Sequence, residues 1–88
     1  MKEAIRVSIP GHGNLMGSPA TIVRLLKEAR FDYNAGRISD DAYMMGVCRE
    51  IKRLYKKQIE FSGDTIDEQA ETFLQSMAEN GFIKITKI

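Results

Sequence analysis

Strand-like sequence stands at the two ends of the chain, and everything periodic between them repeats at helical spacing. Residues 4–9 alternate, with Ile5, Val7 and Ile9 on one side and Arg6 and Ser8 on the other, the period of a half-buried strand that Pro10 then stops. Residues 82–88 are rich in isoleucine and interleaved with Lys84, Thr86 and Lys87, which predicts a second strand. A lone strand does not hold in water, so each is the obvious partner of the other. The expectation is an α+β fold in which a three-helix unit packs on a small antiparallel sheet formed by the N-terminal and C-terminal strands. Residues 10–17 form a glycine-rich turn, with Leu15-Met16 able to return as a very short strand of a hairpin.

Three helices are expected in the middle. Ser18-Pro19 is an N-cap followed by the favoured first-turn proline, and Ile22, Val23, Leu25, Leu26, Ala29 and Tyr33 share one face of a helix over 19–34, stopped by Asn34-Ala35-Gly36. A second helix over 40–58 has Ser39 as cap, Asp40 and Asp41 at the positive end of its dipole, and Ile38 placed to staple onto Tyr43. Thr65 and Glu68 form a capping-box pattern for a third helix over 65–80, lined by Ile66, Ala70, Phe73, Leu74 and Met77 and closed by Asn80-Gly81, with Phe82 placed to fold back on Met77.

Eighty-eight residues leave room for one modest core, hence one domain over 1–88, and a deep substrate cavity within one copy is not expected. Thirteen basic against twelve acidic residues give a net charge of +1, so attraction to polyanions or membranes has to be local. One cysteine and one histidine fall short of a disulfide or a four-ligand zinc site, and no cofactor or metal is expected. Neither a signal peptide nor a membrane span is evident in the first residues, which with the single cysteine places the chain in the cytoplasm, without a membrane partner.

The second helix carries the sharpest functional pattern. Tyr43, Met44, Val47, Cys48, Ile51, Leu54, Tyr55 and Ile59 fill one half of it and Arg49, Lys52, Arg53, Lys56 and Lys57 the other, with Met45 on the basic side. The plain reading is a solvated face partly neutralised by Asp64, Asp67, Glu68, Glu71 and Glu79 of the third helix, which has no basic residue. The functional reading is a surface for phosphates or for an acidic protein. Phe31 falls on the stripe of Arg24 and Lys27, where it is either a partner anchor or, if the helix unwinds after Ala29, part of the core. The Gly11-His12-Gly13 loop is a weak anion-site candidate, since glycine-rich loops before a helix can turn N–H groups toward an anion, although the spacing fits a hairpin turn better. Cys48, mid-helix on the apolar side, is expected to be buried and structural.

With no catalytic constellation in view, the expectation is a small non-catalytic interaction or accessory module, open to homo-oligomerisation, whose partner is a protein, itself or another. The alternative is a nucleic-acid-binding protein using the basic face of the second helix.

Overall fold

The computed structural model describes residues 4–11, 13–29 and 39–87. It contains β1 (Ile5–Ile9), β2 (Gly13–Gly17), α1 (Pro19–Ala29), α2 (Asp40–Tyr55), α3 (Ile66–Glu79) and β3 (Lys84–Lys87). The strands form one antiparallel sheet in the order β2-β1-β3, so the two ends of the chain do meet and the fold is α+β as expected. Val7 faces Leu15 on one side and Ile85 on the other, while Arg6 faces Met16 and Thr86. Strand alternation therefore turns Ile5, Val7, Ile9, Leu15 and Ile85 toward the core, where Val7 is completely buried. Exposed Arg6, Asn14, Met16, Lys84 and Thr86 stand on the opposite, open face.

The hairpin return expected at Leu15-Met16 is present and longer than expected: Gly13–Gly17, within the 10–17 read as a turn, is a full five-residue strand paired with β1. Cross-strand pairing supplies what the local pattern lacks: Ser8 donates a 2.6 Å hydrogen bond to Asn14 Oδ1 on the open face, and Leu15 packs beneath. β3 begins at Lys84 rather than at the expected 82, because Phe82 and the buried Ile83 pack on the helices instead of joining the ladder; residue 88 lies outside the described residues.

α1 starts as its caps direct, with the Thr21 N–H bonded to Ser18 Oγ and Pro19 buried in the first turn. Ile22 and Val23 are completely buried, whereas Leu25, placed on the apolar face from sequence, is 36% exposed. The expected continuation through residue 34, Phe31, the Asn34-Ala35-Gly36 stop and the Ile38 staple lie outside the described residues. Lys27, in the last turn of α1, forms a 2.8 Å ion pair with Asp40 in the first turn of α2, both side chains being largely buried. Each charge sits at the helix end whose dipole favours it.

α2 stops at Tyr55, three residues short of the expected end at 58, because Lys56 turns into the left-handed conformation (φ 60°) while its N–H bonds to the Lys52 carbonyl. That left-handed ending is normally made by glycine. Nothing local announces it, and its cause lies in the segment that follows, which runs back along α3 and is held there by α3 side chains. The Ser76 hydroxyl accepts from the Glu60 N–H, and the Thr72 hydroxyl accepts from the Ser62 N–H while its single proton lies within reach of the Ser62 carbonyl and of the Glu68 and Gln69 carbonyls of its own helix. Gln69 Nε2 donates to the Gly63 carbonyl, and Glu68 Oε2 accepts from the Asp64 N–H. This clasp carries Ile59 into the core and sets the Phe61 ring edge-on to Phe73 at 6.1 Å. Gly63 is required there: its φ is +151°, and a Cβ would stand 2.5 Å from that of Glu68.

α3 is framed by the residues that its sequence marks. Thr65 Oγ1 accepts from the Glu68 N–H at its start. At its end the Phe82 N–H bonds to the Met77 carbonyl and the Gly81 N–H to the Ala78 carbonyl, with Gly81 at φ +82°, a Schellman ending. Phe73 and Leu74 are its innermost side chains.

Candidate interaction surface at the end of the second helix

The apolar half of α2 outlasts the core that it faces. Met44 is fully buried and Tyr43 and Ile51 nearly so, but Leu54 and Tyr55, assigned to the same half from sequence, are each 58% exposed. The last turn overhangs the body of the domain, and Phe82 supports it from the side, its ring meeting Tyr55 edge-on at 5.3 Å. Lys57 reaches the same corner, its Nζ bonded to the Asn80 carbonyl and 5.5 Å from the centre of the Phe82 ring. Phe82 was expected only to close α3; that it also props the end of α2 depends on the return path of residues 57–64, which no local pattern encodes.

The basic face stands over this overhang. Arg53 pairs with Glu50 on its own helix at 2.8 Å, largely in solvent, and Arg49 Nη2 lies 3.6 Å from the sulfur of Met45, itself 46% exposed. Lys52 and Lys56 make no ion pair among the described residues. The expected neutralisation by α3 does not occur: among the described residues none of Arg49, Lys52, Arg53, Lys56 and Lys57 pairs with an acid of that helix. Glu68 is instead engaged with the Asp64 N–H. The cations lie at the C-terminal end of α2, where the helix dipole favours them, and among the described residues Glu50 is the one acid that pairs with any of them.

The remaining candidates separate. Arg24 is exposed on α1, away from this corner in sequence and element. Lys27 does not belong to an open stripe, because its ion pair with Asp40 buries it between α1 and α2. Phe31 and His12 lie outside the described residues. Gly11 and Gly13 do not precede a helix as the anion-site expectation requires: β2 intervenes between them and α1, and they form the tip of the β1-β2 hairpin over a shallow depression shared with Gly81, Ile83 and Lys84. Cys48 is half-buried rather than buried, beside Ile59 and Phe61, and burial pushes its thiol above the usual cysteine range. Such a thiol is a poor nucleophile at neutral pH.

No family model, curated protein or solved structure matches this chain. Among the described residues no group of His, Cys, Asp and Glu is placed to hold a metal ion, and no helix is long and apolar enough to cross a membrane. What the overhang offers chemically is a pair of large apolar side chains, flanked by cations, on a helix end fixed by backbone hydrogen bonds.

Proposed function

We propose that the chain is a small non-catalytic binding module whose contact surface is the overhanging end of α2, and that its partner is a protein presenting acidic groups around an apolar anchor. The observation that carries this reading is the joint exposure of Leu54 and Tyr55 beside cations that meet no acid of α3. Large, half-exposed apolar side chains at a rigid position, rimmed by charge, are the usual anatomy of a protein contact. The half-buried lone thiol fits a reducing, cytoplasmic setting.

Titration of the isotope-labelled protein with a short oligo-glutamate peptide at low salt tests it. Amide shifts should concentrate between Arg49 and Lys57 and at Phe82, and should vanish in Lys52→Glu with Lys56→Glu. Shifts that are absent, or spread evenly over the molecule, overturn the proposal.

A second reading, nucleic-acid binding, is favoured by the same cations, which among the described residues meet no acid of α3, since phosphates would take the place of those acids. Engagement of three or four phosphates gives a salt slope of about −3 to −4 on duplex DNA. The near-balance of thirteen basic against twelve acidic residues leaves no long-range field to support it, which ranks it second.

A further inference from the structure

The charge of this molecule is balanced in total and unevenly placed: five cations gather at the end of α2, where Glu50, Glu60 and Glu79 also lie, while the first turn of α3 carries acids and no basic residue. Residues 57–64 carry the chain from the end of α2 back along α3: Lys57 meets Asn80 at one end of α3, and Asp64 meets Glu68 at the other. The α2 overhang therefore lies beside the C-terminal end of α3. The N-terminal end of that fourteen-residue helix is about 20 Å away, at 1.5 Å of rise per residue. That distant end is acidic, with exposed Asp64 followed by Asp67 and Glu68, and it carries its own exposed apolar side chain, Ile66, at 39%. One end thus offers apolar Leu54 and Tyr55 among cations, and the other offers apolar Ile66 among carboxylates.

We infer that the overhanging end of α2 docks on the acidic start of α3 in a second copy of this chain, joining copies head to tail. The inference rests on the binding reading above and names its partner. Charge complementarity selects this occupant: a chain that serves an external polyanion gains from net positive charge, whereas this one keeps a net charge of +1 while placing an acidic apolar surface opposite its basic apolar one. The two surfaces lie at opposite ends and differ from each other, so the contact is heterologous. It leaves one free surface of each kind on every added copy and forms rings or open chains rather than a two-fold dimer.

Sedimentation velocity of the full chain, from micromolar to millimolar concentration, tests this. At about 0.1 M salt the average mass should rise with concentration beyond that of a dimer. At about 1 M, where the screening length falls from about 10 Å to about 3 Å, it should return toward the monomer. Lys52→Glu with Lys56→Glu, and separately Asp64→Ala with Ile66→Ser, should each weaken association at least about tenfold, a difference of about 1.4 kcal/mol. All four side chains are exposed, and circular dichroism should show both variants folded. An equal mixture of the two variants should form dimers and nothing larger, since each retains one competent surface. A chain that stays monomeric throughout, or whose association ignores both double substitutions, overturns the inference. If that monomer still shows the oligo-glutamate shifts, the second copy fails as partner while the binding surface stands; if it binds oligonucleotide through Lys52 and Lys56 instead, the partner is nucleic acid; if it shows neither, both readings fall.

Discussion

Lys56 is the residue on which the path of the chain turns. A side chain at φ 60° places its Cβ close to the following carbonyl, a strain of about 1–2 kcal/mol that glycine does not suffer. Lys56→Gly is therefore expected to stabilise the domain by about 0.5–1 kcal/mol, part of the relief being offset by the greater freedom of glycine in the unfolded chain. The midpoint of thermal unfolding should rise by several degrees, and a fall would show that the lysine side chain contributes packing absent from the described contacts. Nothing in the residue's identity announces this conformation. Lysine is a good helix former, and the apolar spacing continues unbroken to Ile59, so the sequence extends α2 past the point where it stops. Leu54 and Tyr55 are misplaced for the same reason: periodicity tells which side of a helix is apolar, not where the core beneath it ends.

Among the elements, α3 was the most legible and the segment before it the least. Thr65, Glu68, Asn80 and Gly81 act within a turn of their own positions, so their chemistry is written locally and sets both ends of the helix. The clasp of residues 57–64 depends on Glu68, already marked as a capping residue, and on Gln69, Thr72 and Ser76, polar side chains to which no local pattern gives a role. Only the folded path shows that they bond backbone groups of the neighbouring segment. Thr72→Val keeps the shape and removes the hydroxyl that meets Ser62, and should cost about 1–2 kcal/mol. Hydrogen exchange provides the local readout: amides 60–64 should lose protection before those of α3 do, and unchanged exchange there would show that packing of Ile59 and Phe61 suffices to hold the segment.

For the molecule as a whole, the sheet that joins its ends was legible because both runs carry strand chemistry and neither is stable alone. β1 is the central strand, so β3 covers an edge that β2 cannot. Removing residues 84–88 uncovers that edge and strips Ile85 from Val7, and for a domain of this size, whose total stability is about 5–10 kcal/mol, the cooperative thermal transition should be lost. A truncated chain that melts like the full one would mean that β3 is ornamental. The register of this pair also sets how the domain meets tension. Ile5 lies opposite Lys87, so a force drawn through both ends enters the ladder at one extremity and opens it like a zipper, a rung at a time, rather than shearing all rungs together. Held by its ends, the domain yields at small loads and lets go of β3 first.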